Sequence, residues 1–306
     1  MTTHPTRRDF ALTCLRTGLA GAVCTLVGAH RLGAIEPFVR PGPARFKLSL
    51  VGYSFRSYFK SADPAKRMTL FDLVDYCAVQ GFAGVELTGY YFTQPATNDY
   101  LIRLKRHAHL RGVSVSGTSI GSTLGLPRGP KLDQQIAAVK AWVDAAAVLG
   151  APYVRVFANG AKAMLVPGSL EGAIAGFEEC ADYAGKKGVF IGLENDGGIT
   201  PDTVLAIVHG VRSPWFGLNL DLGNYHTSDV YADLVRCAPY AVNVHFKKQI
   251  REAGKPAVPA NVTRMLQILR DAHYEGWLGF EYEAEEDPYQ AIPPWLQQVK
   301  KEIALG

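Results

Sequence analysis

The stretch Val189-Phe190-Ile191-Gly192-Leu193-Glu194-Asn195 is a short apolar run that closes on a carboxylate. Three similar runs follow it: FGLNLDLG (216–223) carries Asp221, YAVNVHFK (240–247) carries His245, and WLGFEYE (277–283) carries Glu281. Each is bounded by turn residues and separated from the next by a helix-like stretch, the pattern of a strand buried on both faces of a parallel sheet. In a closed parallel barrel every strand delivers its last residues to one mouth. Four consecutive strand ends would therefore bring two glutamates, an aspartate and a histidine together.

The same alternation extends upstream. Strand patterns fall at Lys47–Tyr53, Gly84–Thr88, Val113–Ser119 and Pro152–Phe157. Helical patterns follow at Met68–Gln80, Asn98–Arg111, Leu132–Leu149 and Leu170–Lys187, and later at Pro201–Val211, Asp229–Cys237, Asn261–His273 and Pro288–Ile303. Glycines punctuate the joins at Gly81, Gly112, Gly150, Gly188 and Gly276. Eight strand–helix units predict an α/β protein, a single (β/α)8 TIM barrel over residues 35–306. The rival is a doubly wound open sheet, but no Gly-x-Gly-x-x-Gly turn follows the first strand to support it.

Residues 1–34 read as an export signal. Thr6-Arg7-Arg8-Asp9-Phe10 is a twin-arginine motif, and Ala11–Gly28 is a small-residue apolar stretch interrupted by Arg16. Cleavage after Ala29 and after Ala34 both suit this pattern. The expectation is a partner in the twin-arginine export machinery and a periplasmic or extracytoplasmic location. The alternative is a retained anchor, which the short, weak apolar core disfavours, so no stable membrane span is expected in the mature chain. Of the formal charge of +4, residues 1–34 carry +3, leaving the remainder near neutral. Such a balance supplies no basic groove, which argues against nucleic acid as a partner. Five cysteines occur; Cys14 and Cys24 fall in the signal, while Cys77, Cys180 and Cys237 sit in helix-like segments at spacings that suit packing rather than disulfides or metal.

Glu194, Asp221, His245 and Glu281 form the predicted metal site. Three oxygen donors and an imidazole suit one divalent cation, Mn²⁺, Mg²⁺ or Co²⁺ before Zn²⁺. A cation there can bind vicinal oxygens of a polyol or hydroxyketone, and carboxylates beside it can move protons at the neighbouring carbon. Glu194 and Glu281, from different strands, are the predicted catalytic pair. Any one of these residues alone reads equally well as a helix cap, an ion pair or a hydrogen-bonded core histidine; their recurrence at four successive ends outweighs that. Predicted substrate contacts are His226, Asn224, Lys247, Glu86 and Arg155. Lys247 shares a strand face with His245 and has Glu283 as an alternative partner, while Glu86 has a buried ion pair with Arg155 as its alternative. Asn195 and Asp196 precede Gly197-Gly198 in a tight loop, and Tyr53, Tyr90, Tyr91 and Phe157 offer an aromatic wall.

With GVEL (84–87), GLENDGG (192–198), LDLGN (220–224), VHFK (244–247) and GFEYE (279–283) in this order, the chain resembles the sugar phosphate isomerase/epimerase family, the xylose-isomerase-like barrels. The resemblance covers the chain from LSLVGYSFR to its end. It implies one divalent metal on Glu194, Asp221, His245 and Glu281, with the two glutamates exchanging protons with substrate. Many members carry an Asp-x-x-His pattern at the sixth strand; here that position is Asn224, and His226 lies two residues on. No phosphate-binding loop or basic cluster accompanies the pattern. The leading expectation is thus a metal-dependent isomerase or epimerase of a small unphosphorylated carbohydrate or polyol. A metal-dependent lyase or dehydratase acting on keto-sugars or keto-glycosides begins with the same proton abstraction and stays open, as does a non-catalytic carbohydrate-binding barrel. Barrels of this kind often associate, which leaves a homo-oligomer open.

Overall fold

The computed structural model describes residues 35–92 and 96–305. The expected export signal, residues 1–34, lies outside the described residues. Eight parallel strands close on themselves: β1 (Arg45–Val51), β2 (Gly84–Thr88), β3 (Ser114–Thr123), β4 (Tyr153–Phe157), β5 (Phe190–Glu194), β6 (Phe216–Asp221), β7 (Ala241–Lys247) and β8 (Glu275–Glu281). Each is followed by a helix: α1 (Leu70–Gln80), α2 (Asn98–Leu110), α3 (Pro130–Leu149), α4 (Ser169–Gly185), α5 (Pro201–Gly210), α6 (Val230–Cys237), α7 (Val262–Asp271) and α8 (Pro288–Ala304). The expected (β/α)8 TIM barrel is what forms.

The apolar core lies between strands and helices. Val154, Val156, Ile191, Leu193, Leu218, Leu220, Val244, Phe246, Leu278 and Phe280 are buried there with helix residues such as Val143, Phe177 and Ile207. Phe177 of α4 packs on Phe216 of β6 at 5.1 Å, and Trp295 of α8 on Phe280 of β8 at 4.4 Å. The intervening strand positions face one another across the barrel axis and are largely polar. Cys77, Cys180 and Cys237 are buried and unbridged, as their spacing predicts. Burial pushes the thiols of Cys180 and Cys237 up to about 12 and about 11, and that of Cys77 well up, so they pack as small apolar groups.

Six of these eight helices start on side chains that accept from otherwise unpaired N–H groups. Thr69 and Asp72 form a reciprocal capping box at α1, and Thr97, Thr200, Asp229, Asn261 and Asp287 cap α2, α5, α6, α7 and α8.

Several boundaries differ from the sequence reading, and one element is new. Strand β1 starts two residues earlier than expected and ends at Val51, because Gly52–Phe55 turn into a 3-10 helix. Strand β3 runs on to Thr123, past an irregularity in its pairing with β4. Beyond β7, Gln249–Ile250 and Val258–Pro259 pair antiparallel to form a small arm. Two-residue strands are too short to show a period, so nothing in the sequence marks them.

Candidate metal centre

Glu194, Asp221 and Glu281 are the last residues of β5, β6 and β8, and His245 lies two residues before the end of β7. Pairing sets Asp221 beside His245 and Lys247 beside Glu281. One donor atom from each of Glu194, Asp221, His245 and Glu281 falls within 4.8 Å of all the others, and all four residues are buried. His245 Nδ1 lies 2.7 Å from Glu194 Oε1, 3.4 Å from Glu281 Oε2 and 3.9 Å from Asp221 Oδ2.

Asp221 is held by a reciprocal clamp. The Asn195 side chain donates to the Asp221 carbonyl at 2.9 Å, and the Asp221 amide donates to Asn195 Oδ1 at 2.8 Å. Asp221 Oδ1 accepts from the Gly223 amide at 2.8 Å. Oδ2, by contrast, is buried with no hydrogen-bond donor, its nearest cation being Lys247 Nζ at 3.2 Å. A buried carboxylate oxygen left without a donor and aimed among three further donors is what a hard divalent cation satisfies. The residues present therefore fit such an ion.

Burial and neighbouring charge pull these groups apart. Burial, only partly offset by Lys247, drives the Asp221 carboxyl well above the ordinary range. At Glu281 burial is outweighed by Lys247 and His245, which hold it well below that range. At Glu194 burial is outweighed by Arg155 and His245, and the carboxyl is lowered. His245 is pushed well up because Glu86, Glu281 and Glu194 together overcome its burial.

The five predicted substrate residues divide into two groups. Asn224, His226 and Lys247 line a cavity of about 470 Å³ that also touches Tyr53, Arg56, Glu281, Glu283 and the arm beyond β7. Lys247 is already engaged: its ammonium lies 2.6 Å from Glu281 Oε2 and also pairs with Glu283. Glu86 and Arg155 do not line that cavity, and the ion pair between them does not form. Arg155 instead meets Glu194, Nε to Oε2 at 3.1 Å, stacks over Phe157 at 4.0 Å and donates to the Tyr90 hydroxyl at 3.0 Å. Glu86 accepts from the Tyr153 hydroxyl and lies 2.8 Å from His245 Nε2.

The physical reason is barrel stagger. Arg155 pairs alongside Gly192 of β5, the strand that carries Glu194 two residues on. Glu86 pairs alongside Gly117, and there the Tyr153 ring fills the space: a Cβ on Gly117 would sit 2.0 Å from it. Of the expected aromatic wall, Tyr53 borders the cavity and packs edge-on against Tyr90 at 6.4 Å, whereas Tyr91 stacks on Phe59 at 4.1 Å, away from it. Gly197 and Gly198 do carry the positive φ angles, 67° and 76°, expected of their loop.

Sequence reasoning missed Asn219, Asn243 and Tyr153. Asn219 donates to Glu194 Oε1 at 3.1 Å, and Asn243 donates to Asn219 Oδ1 and to the Tyr153 hydroxyl, both at 2.6 Å. The signal was present. Asn219 and Asn243 sit two residues before Asp221 and His245, on the same strand faces, where an amide inside an apolar run needs a partner.

A family model described as the xylose isomerase-like TIM barrel matches residues 74–303. The chain belongs to that family. No curated protein matches it. Among solved structures similar to this member of the family is a 3-keto-D-glucoside 4-epimerase from E. coli, 17% identical over 84% of this chain and 100% of that one, TM-score 0.63. Another is a D-psicose 3-epimerase in the presence of D-fructose, 15% identical over 85% of this chain and 97% of that one, TM-score 0.63. A third is a probable 3-DHS dehydratase from Bacillus anthracis, 17% identical over 84% and 98%, TM-score 0.60. At these identities the likeness is one of fold.

Proposed function

We propose that this family member is a divalent-metal-dependent isomerase or epimerase of a small unphosphorylated sugar or polyol. The observation that carries the reading is the convergence of four buried donors from β5 to β8 at the edge of the cavity lined by Asn224, His226 and Lys247. A divalent cation held by Glu194, Asp221, His245 and Glu281 supplies stabilisation of the negative charge that develops when a carbon next to a carbonyl loses its proton. Mn²⁺, Mg²⁺ and Co²⁺ suit the oxygen-rich set best.

Glu194 takes that proton. Its Oε1 is held by Asn219 and its Oε2 by Arg155, so the carboxylate is ionised and fixed in direction before substrate arrives. Glu281 returns a proton from another side, drawing it from the Lys247 ammonium 2.6 Å away, and solvent then restores Lys247 and clears Glu194. Return to the same carbon inverts a centre; return to the next carbon moves the carbonyl. Asn224 and His226 orient substrate hydroxyls from the cavity wall. Export of the protein by the twin-arginine route, expected from residues 1–34, supports an unphosphorylated substrate met outside the cytoplasm.

One observation favours a lyase. The Lys247 ammonium borders the cavity beside Glu281 and is placed to give a proton to a departing oxygen of a keto-sugar or keto-glycoside. The two reactions separate in one experiment: incubation with ketoses and keto-glycosides in D₂O with added Mn²⁺, followed by NMR. Deuterium on carbon in a product of unchanged composition is expected. An unsaturated chromophore or a released aglycone assigns the lyase, and no deuterium entry across both substrate classes overturns the proton-transfer reading.

A further inference from the structure

We propose that Glu86 is a positioning residue that fixes which nitrogen of His245 faces the cation. Glu86 is the third residue of β2, 1% exposed, in a layer where a barrel of this kind ordinarily places aliphatic side chains. It is not one of the four converging donors. It lies on the opposite edge of the His245 ring, with Oε2 2.8 Å from Nε2, while Nδ1 faces Glu194, Glu281 and Asp221.

A cation at the cluster takes the Nδ1 lone pair, which leaves the ring proton on Nε2, where the Glu86 oxygen accepts it. A neutral imidazole then presents its Nδ1 lone pair to the cluster, the state a metal ligand needs. The opposite tautomer would set a lone pair against the Glu86 carboxylate and point a proton at the cation.

Glu86 is itself held in place. The Tyr153 hydroxyl donates to the same Oε2 and accepts from Asn243 at 2.6 Å. Asn243 also donates to Asn219, and Asn219 to Glu194, so the chain of contacts returns to the cluster through β4, β7, β6 and β5. The close approach of Tyr153 to Gly117 is what lets the phenol reach Glu86.

The inference rests on the reading of Glu194, Asp221, His245 and Glu281 as metal ligands, and its test separates the two. Zn²⁺ alone is titrated into wild-type, Glu86→Leu and Glu86→Gln proteins against a chromogenic chelator. Glu86→Leu, which has no acceptor, is expected to weaken Zn²⁺ by about 10–100-fold. Glu86→Gln keeps an acceptor oxygen and is expected to recover most of that loss, which a merely space-filling role would not require. Because a leucine buried among polar groups can compromise folding, ¹⁵N NMR of the wild-type imidazole in the Zn²⁺-loaded protein gives an independent reading: a proton on Nε2 is expected. Unchanged Zn²⁺ affinity in a folded Glu86→Leu protein, or a proton on Nδ1 in the wild type, overturns the role of Glu86 alone. A wild-type protein without Zn²⁺ affinity overturns the metal centre and this proposal with it.

Discussion

Glu194→Gln is expected to slow solvent deuterium entry into substrate by about 10²–10⁴-fold, the usual contribution of a positioned general base. Both carboxylate oxygens are engaged, Oε1 accepting from Asn219 and Oε2 ion-paired with Arg155. A neutral amide loses the ion pair with Arg155 along with the basic lone pair. Divalent binding is expected to persist through Asp221, His245 and Glu281, which separates a chemical defect from an empty site. The measurement is paired: NMR for deuterium on carbon and mass spectrometry for bound metal. Exchange at the wild-type rate in the variant would remove Glu194 from the role of base.

The second large effect concerns the metal itself. Purified wild-type protein should carry a single equivalent of a divalent ion, and His245→Ala/Glu281→Ala should carry none. The double change removes the donors of β7 and β8 together and leaves Glu194 and Asp221, too few to hold a cation against water. It also strips buried partners: Lys247 keeps only Asp221 and Glu283, and Glu86 keeps only Tyr153. Uncompensated buried charge of this kind costs about 3–5 kcal/mol, so the variant should melt earlier yet remain folded at room temperature. Thermal unfolding followed by circular dichroism checks that half of the expectation. A folded wild type without metal and without affinity for Mn²⁺, Co²⁺ or Zn²⁺ would return the four strand ends to structural charges, and a carbohydrate-binding barrel would become the better reading.

The eight strands were legible because parallel strands are buried on both faces and read as unbroken apolar runs. The four converging residues were legible for a related reason, since a charge closing such a run is conspicuous. What the sequence withheld is lateral. Whether Arg155 meets Glu86 or Glu194 depends on how far β4 is staggered against its neighbours and on the Tyr153 ring that fills the space at Gly117. Stagger is a property of barrel closure and leaves no local pattern. Asn219 and Asn243 were readable in principle from their two-residue spacing to Asp221 and His245, but an apolar run draws the eye past the amide inside it. The arm built from Gln249–Ile250 and Val258–Pro259 had no periodic signal at all.

The origin of the four donors has a consequence for the barrel as a whole. They come from β5, β6, β7 and β8, one each, so three consecutive seams between strands run through the centre. Parting any of those seams separates at least one donor from the rest, and an unzipped chain offers no such site. The proposed cation would thus be a latch across four of the eight strands. Its binding free energy adds directly to the work of prising the sheet open, about 2.7 kcal/mol when the free ion stands at a hundred times its Kd. How firmly the sheet stays shut would then depend on how much metal the surroundings provide.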